Sequence, residues 1–399
     1  MIVLLAASQC CTPGFAADSG GAGSLASATL PAEPEQEAAR EREQSAEEDP
    51  LAQQQAERVD RPERWEEQPD GIKAYASVRL RYRNQDGDSF WGDGGSRFGA
   101  EGRWQLRPAG WLFVRGEAGV NILDELERIF EPGSSSGSAG SSLFKRLLYV
   151  GWESPSMLLV VGKNWSPYYR IASFTDRFKG TGGNASGTFN AGTDGGATGT
   201  GRADRAVQSR VLAGKRLQHW NIKPFNLGIQ FQYGESIPHV EGANYGLGIS
   251  LSGILEFGND YTLGVAYNHA RIDRKQAGVH RAGIDGDAQA LLLGTRWFGE
   301  RWYLGTTVSR LVNHEATDDQ VYFDGWGWEV YGQYQVKGPV WATGGWNYLV
   351  PDGGQPGAGR YLVKYGVAGL RYSFDKFSKM LFLNAKFEGS RQADGNGIG

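Results

Sequence analysis

The chain has 399 residues with 59 Gly, 13 Trp, 17 Tyr and 18 Phe, and its formal net charge at pH 7 is −4. This small charge, with Lys and Arg spread along the chain, argues against nucleic-acid binding. Abundant Gly, Trp and Tyr favour strands and tight turns over helices, and the sequence has no run of 18 apolar residues that would indicate a transmembrane helix.

The opening stretch, MIVLLAASQCCTPGFAADS, is apolar and has small residues near its end. This pattern is typical of a secretory signal peptide, here residues 1–17, cleaved near Ala16 or Ala17. The two cysteines, Cys10 and Cys11, both lie in this stretch. The mature chain would therefore have no disulfide and no thiolate site.

Residues 18–70 are charged, rich in Gln and poor in apolar side chains. Such a segment cannot bury a core of its own, so we expect disorder or a solvated helix in the periplasm. It could contact the cell wall or support assembly of several chains.

From residue 72 the hydrophobic pattern changes to period two, which predicts β-strands. In IKAYASVRLRYR, apolar and small side chains alternate with polar and basic ones, and NLGIQFQYG and NYGLGISLSG repeat the alternation. We count about fifteen such segments of roughly ten residues, the length of a tilted strand that crosses a membrane. The sequence thus predicts an all-β domain over residues 71–399.

The connections between these strands alternate in length. Short ones are expected at 108–110, 154–156, 256–260, 298–300, 337–339 and 375–378, and long ones at 85–95, 122–141, 164–205, 235–243, 271–286, 312–324 and 350–359, with a moderate one at 216–224. Sorting by length indicates that the two ends of the strands face different environments. It predicts an up-and-down outer-membrane β-barrel with short periplasmic turns and long external loops.

A barrel places one face of every strand inside. Because lipid cannot hydrogen-bond an open sheet edge, strands in a bilayer must close on themselves. The inward faces here would carry Arg, Lys, Gln, Glu, Asn, Ser and Gly. With about sixteen strands the interior is wide enough for water, so the sequence predicts a channel.

Three stretches resemble the Gram-negative general porin family of trimeric, sixteen-stranded barrels. SRFGAEG at 96–102 is similar to the family's second strand. RLLYVGW at 146–152, followed by VVGKNWSPYYRIASFTD at 160–176, is similar to the strands that lead into its third external loop, and TGRADRAVQSR at 200–210 to the strand that leaves it. The resemblance extends from about residue 72 to the end of the chain.

The resemblance implies that the Gly-rich third loop folds into the barrel and narrows it, since Gly permits varied backbone conformations. It implies a basic wall made of Arg97, Arg146 and Arg202, with one or more of the first-strand arginines Arg79, Arg81 and Arg83. The opposing loop acid would be Asp176. The family's second loop acid is replaced by Gly180, and Asp194 is the candidate substitute.

The expected function is passive passage of small hydrophilic solutes and ions, with a modest preference for anions. The implied partners are outer-membrane lipid, lipopolysaccharide and two further copies of the chain, with no cofactor and no metal. An open alternative for the wall arginines is that they pair with Glu101 or Glu117 on neighbouring strands.

Two other functions stay open from the sequence. The barrel could serve as an envelope-tethering or adhesive protein through residues 18–70. An outer-membrane hydrolase would need a Ser/His pair at one rim, and GSSSG at 133–137 only formally fits a nucleophile motif; we expect no enzymatic activity. The chain stops at RQADGNGIG, where an external loop is expected, so the last strand is predicted to be missing.

Overall fold

The computed structural model describes residues 2–11 (backbone), 70–85, 88–106, 110–123, 143–178, 182–213, 222–355, 357–374 and 379–396. Most of the predicted segment 18–70, the GSSSG motif and Gly180 lie outside the described residues. No helix among the described residues is long and apolar enough to cross a membrane.

The described residues form one antiparallel sheet of seventeen strands. The strands are β1 Ile2–Cys11, β2 Gly71–Gln85, β3 Asp88–Asp93, β4 Arg97–Leu106, β5 Gly110–Val120, β6 Leu143–Glu153, β7 Met157–Trp165, β8 Arg202–Ala213, β9 Phe225–Tyr233, β10 Tyr245–Phe257, β11 Tyr261–Ile272, β12 Ala288–Phe298, β13 Trp302–Ala316, β14 Tyr322–Lys337, β15 Val340–Pro351, β16 Val363–Ser373 and β17 Met380–Glu388. The all-β barrel architecture is confirmed.

The strands occupy sixteen places in the barrel wall, because β3 and β4 share one. β2 pairs with β4 over residues 71–77 and with β3 over residues 80–85. From β4 to β17, each strand pairs with the next one along the chain. Short and long connections alternate over most of the barrel, from the two-residue turn between β14 and β15 to the long segment 166–201 between β7 and β8. The connection between β13 and β14, which the sequence predicts to be long, has only five residues, because both strands extend farther than expected.

The place between β17 and β2 is filled by β1, whose backbone pairs with both neighbours. This pairing does not test whether residues 1–17 are a signal peptide or whether a last strand is missing, and both stay predictions. The apolar character of residues 1–17 fits a signal peptide equally well, so hydropathy alone did not indicate a strand. The division of the chain into 1–17, 18–70 and 71–399 stays a prediction.

The two faces of the sheet differ in chemistry, as the period-two pattern predicts. On β12, Leu291 and Leu293 are 40% and 54% exposed. Leu292 lies between them in the chain and is buried, and so is Arg296 on the same inner face. On β2, Ile72 and Val78 are exposed on the outer face, and the arginines occupy the inner one. An apolar outer face is what lipid requires.

Aromatic side chains lie on the outer face of the sheet, near both ends of the strands. Trp297 and Trp302 meet with ring centroids 4.9 Å apart beside the turn between β12 and β13, and Tyr372 and Phe374 meet at 4.8 Å after β16. At the opposite end, Trp91 of β3 is 61% exposed. Such belts mark the two membrane interfaces of an outer-membrane barrel.

Candidate pore constriction

The long connection between β7 and β8 comprises residues 166–201, and we call it loop 3. Its described residues, 166–178 and 182–201, lie inside the barrel. It begins with the short helix α1, Tyr169–Ala172, and contains a 3-10 turn at Asn190–Gly192. Most of its described residues are buried. The Tyr303 hydroxyl donates to the Phe174 carbonyl at 2.6 Å, and the Ser309 hydroxyl to the Ala185 carbonyl at 2.7 Å. Loop 3 therefore lies against inward-facing side chains of β13.

Loop 3 packs on this side of the barrel through an apolar contact. Ile171 and Phe174 form one buried cluster with Ile254, Ala266 and Leu292 of the wall. The expectation of a uniformly wet inner wall is therefore wrong for β10–β12. The period-two pattern shows which residues point inward, but it does not show that a distant loop covers the apolar ones among them.

A buried carboxylate holds loop 3 to β14. The side chain of Glu329, which is 1% exposed, accepts hydrogen bonds from the Thr175 hydroxyl at 2.6 Å, the Ala185 amide at 2.7 Å and the Ser186 amide at 3.0 Å. A protein hydrogen bond contributes about 0.5–1.5 kcal/mol net. Glu329 thus fixes two separate stretches of the loop at one point of the wall.

Inward-facing glycines on consecutive strands provide the space in which the backbone of loop 3 contacts the barrel wall. We call Gly264, Gly294, Gly305, Gly327 and Gly345, on β11 to β15, the glycine row. A Cβ atom on Gly305 would lie 2.2 Å from the Phe174 carbonyl oxygen, and one on Gly327 would lie 1.7 Å from that of Ala185. These distances are far shorter than van der Waals contact, so the backbone of loop 3 can approach the wall only where side chains are absent.

The opposite side of the barrel carries the basic residues. Arg79, Arg97 and Arg146, on β2, β4 and β6, lie within electrostatic range of one another. Between them is Glu117 of β5, which accepts from Arg146 Nε at 2.7 Å and lies 3.8 Å from Arg97 Nε. The pairing with Glu117 that the sequence left open is therefore present, and the arginines surround a shared carboxylate.

A second group of charges surrounds the start of β8. Arg202 lies near Arg146 and has its Nε 3.5 Å from Asp194 Oδ2. Lys163 of β7 lies 2.9 Å from Asp194 and 2.8 Å from Asp204. Asp194, the candidate second loop acid, thus lies beside basic residues and does not oppose them across a gap.

The remaining first-strand arginines lie farther along β2. Arg83 places its guanidinium 5.6 Å from the centre of the Phe90 ring of β3, and Arg81 has Arg83 and Asp93 as charged neighbours. Of the three candidates on β2, Arg79 is the one that joins the group around Glu117. We therefore restrict the name basic wall to Arg79, Arg97, Arg146 and Arg202.

Asp176 lies on loop 3 and accepts a hydrogen bond from the Tyr169 hydroxyl at 3.0 Å. Tyr169 stacks on Trp165 with ring centroids 3.8 Å apart, and the guanidinium of Arg202 lies 5.6 Å from the Trp165 ring. Burial, with a further contribution from Asp176, raises the pKa of Tyr169 well above its usual range. Tyr169 therefore stays protonated and keeps donating to Asp176.

The residues that the sequence missed are Glu329, Lys163 and the glycine row. Glu329 is an acidic residue on the inner face of a strand, which could have marked it, but its partners on loop 3 are 143 to 154 positions away in the chain. No group of three or more His, Cys, Asp or Glu side chains that could hold a metal ion occurs among the described residues.

Fold and interior together define an outer-membrane β-barrel whose lumen is partly filled by its third loop. A family model described as Gram-negative porin matches residues 56–374. The chain belongs to the Gram-negative porin family and is a protein of the bacterial outer membrane. This family and this fold are of a non-enzymatic kind.

Several solved structures have a fold similar to that of this chain. OmpF of Salmonella typhi in complex with daunomycin is 17% identical, with coverage of 80% of this chain and 98% of that chain and a TM-score of 0.61. An anion-selective porin from Comamonas acidovorans is 14% identical, with coverage of 81% of this chain and 90% of that chain and a TM-score of 0.58.

In-vitro folded OmpT of Vibrio cholerae, in its trimer form, is 12% identical, with coverage of 83% of this chain and 94% of that chain and a TM-score of 0.54. At sequence identities this low, the similarity shows a shared fold and nothing more specific. A search of curated proteins gives no match.

Replacing Gly327 by Ala should reduce single-channel conductance in planar bilayers, because the new methyl group would meet the Ala185 carbonyl and push loop 3 from β14 towards the basic wall. Gly332→Ala is the matched control: it lies on the same strand, and its added Cβ would have no neighbour closer than 3.7 Å. Equal conductance of the two variants would contradict this account of the glycine row.

Replacing Glu329 by Ala should weaken the attachment of loop 3, because it removes the acceptor of the Thr175 hydroxyl and of the Ala185 and Ser186 amides. We expect amide hydrogen exchange of Ala185 and Ser186 to accelerate by about 10- to 100-fold, which corresponds to the cost of leaving one buried donor without an acceptor. Glu256→Ala is the control, since Glu256 pairs with Lys223 at 2.6 Å at the end of β10. Unchanged exchange in Glu329→Ala would rule out the anchor.

Proposed function

We propose that loop 3 and the basic wall form a charged constriction, through which small hydrophilic solutes and ions diffuse passively with a slight preference for anions. The observation that carries the proposal is the division of the interior into two sides. Loop 3 is packed dry against β10–β15, whereas Arg97, Arg115 and Glu101 on the opposite side keep 27–33% of their side-chain area exposed. The passage would run along the exposed side.

The charges near this passage support the direction of the selectivity. The basic wall, Arg115 and Lys163 contribute six positive charges, and Glu101, Glu117, Asp176, Asp194 and Asp204 contribute five negative ones. One excess positive charge in a narrow low-dielectric passage concentrates anions, but only weakly. Because several acids lie beside their basic partners, we expect a small effect.

Passive transport needs no chemistry beyond this arrangement. Fixed charges order the water in the passage, and a polar solute replaces the hydrogen bonds of the water that it displaces, whereas an apolar solute does not. Solutes are therefore selected by their size and their charge. The first test is planar-bilayer recording with the purified full-length protein, where stepwise ohmic conductance is expected and its absence would refute the channel.

Ion selectivity tests the individual residues. Arg97→Ala and Arg146→Ala should shift the reversal potential in a salt gradient towards cation preference, since each leaves Glu117 less compensated, and Asp176→Asn should shift it towards anions. We expect changes in the permeability ratio of roughly twofold. Arg281→Ala, in an exposed stretch of the external loop between β11 and β12, is the control. Reversal potentials that stay at the wild-type value would reject these roles.

The proposed assembly is a homotrimer. Its support is the barrel fold shared with the Vibrio cholerae protein, which is described in a trimer form, and the broad apolar outer face of the sheet. Light scattering in detergent should give three times the mass of one chain, and conductance should occur in groups of three equal steps. A monomeric mass with single steps would exclude the trimer.

A further inference from the structure

A tyrosine spans three strands on the basic side of the barrel. Tyr75 of β2, Gly99 of β4 and Glu117 of β5 stand opposite one another in register. A Cβ atom on Gly99 would lie 2.6 Å from the Tyr75 hydroxyl oxygen, so the missing side chain leaves the space through which the tyrosine passes. The Tyr75 hydroxyl thereby reaches the carboxylate of Glu117 and donates to its Oε2 at 2.9 Å.

The same hydroxyl also accepts a hydrogen bond. Arg115 of β5 donates from Nε to the Tyr75 oxygen at 3.0 Å, and its guanidinium lies 5.0 Å from the centre of the Tyr75 ring. A phenol hydroxyl has one proton to donate and lone pairs that accept. Because Arg115 uses a lone pair, the tyrosine proton is directed to Glu117, and the hydroxyl is held between the two residues.

The two oxygens of the Glu117 carboxylate have different partners. Oε1 accepts from Arg146 Nε at 2.7 Å. Oε2 accepts from the Tyr75 hydroxyl at 2.9 Å and from Arg115 Nη2 at 3.4 Å. Because each carboxylate oxygen has about two lone-pair positions, the hydrogen bonds from Tyr75 and Arg115 occupy both positions of Oε2.

Arg97 is held at a distance from the same oxygen. Its Nε lies 3.8 Å from Glu117 Oε2, beyond the roughly 2.7–3.2 Å of a typical N–H···O hydrogen bond. The side chain of Arg97 is 27% exposed, whereas that of Arg146, which is hydrogen-bonded to the carboxylate, is 14% exposed. Arg97 thus keeps an ion pair with Glu117 and leaves more of its side chain exposed in the lumen.

We propose that Tyr75 is a positioning residue for ion selectivity, which keeps Arg97 available to permeating anions by occupying Oε2 of Glu117. The inference rests on the charged constriction proposed above and divides its basic wall by role. Arg146 is the hydrogen-bonded partner of Glu117, and Arg97 is the arginine that an anion meets. Without the Tyr75 hydroxyl, a lone pair of Oε2 becomes free and Arg97 Nε closes on it, because a charge-assisted hydrogen bond is a strong one.

Planar-bilayer recordings of Tyr75→Phe in a salt gradient test this role, because the variant keeps the ring and loses only the hydroxyl. The anion-to-cation permeability ratio should fall, by less than the roughly twofold change expected for Arg97→Ala. Tyr331→Phe is the matched control: Tyr331 is also buried and its hydroxyl donates to Gln333 at 3.0 Å, but it lies on β14, on the opposite side of the barrel. A wild-type reversal potential in Tyr75→Phe, or an equal shift in the two tyrosine variants, would overturn the proposal.

The double variant separates this role from the constriction itself. In the Arg97→Ala background, Tyr75→Phe should change the permeability ratio no further, because its effect passes through Arg97. Additive shifts would show that Tyr75 acts by another route and would overturn the proposal. A shift in Arg97→Ala with none in Tyr75→Phe would refute the role of Tyr75 alone, whereas no shift in either would also refute the proposed constriction.

A crystal structure of full-length Tyr75→Phe tests the geometry without any transport measurement. Arg97 Nε should lie about 2.7–3.2 Å from Glu117 Oε2 in the variant, instead of 3.8 Å. An Arg97 side chain that keeps its wild-type position would overturn the proposal, whatever the channel recordings show.

Discussion

Backbone hydrogen bonding in lipid is the constraint on which this molecule depends. A strand in hydrocarbon has no water to satisfy its N–H and C=O groups, so every strand needs a neighbour on both sides. The ring of pairings from β2 to β17, completed by β1, meets this requirement. It also divides the side chains into an apolar set on the outer face and a second set on the inner face. The inner set forms the surface on which loop 3 packs and which carries the basic wall.

Loop 3 uses that inner surface unequally. On one side, glycines admit its backbone and Ile171 and Phe174 exclude water; on the other, the basic wall stays partly exposed around Glu117. In the proposed constriction, the same loop would fill one side of the barrel and form one face of the remaining passage. A loop of this composition would be mobile in solvent, and the wall contacts give it a defined conformation.

The sequence predicted what depends on local periodicity. Strand number follows from alternation, and the position of the loops follows from their lengths, whereas the inward direction of Arg97 and Arg146 was implied by the resemblance to porins. What depends on contacts between distant segments was not predictable. Asp194 could be named as an acid near the constriction, but only the path of loop 3 brings it to Lys163 and Arg202. β1 lies in the segment that the sequence predicts to be a signal peptide, because its apolar sequence suits a leader as well as a strand.

The shared carboxylate of Glu117 makes the arginines around it a collective unit. Arg146, Arg97 and Arg115 all lie within 4 Å of its oxygens, so removing one changes the surroundings of the others. Effects of single and double substitutions among them should not add. During evolution, a change at one of these positions would alter the selective value of a change at the next, and the proposed ion preference would change through coordinated sets of substitutions.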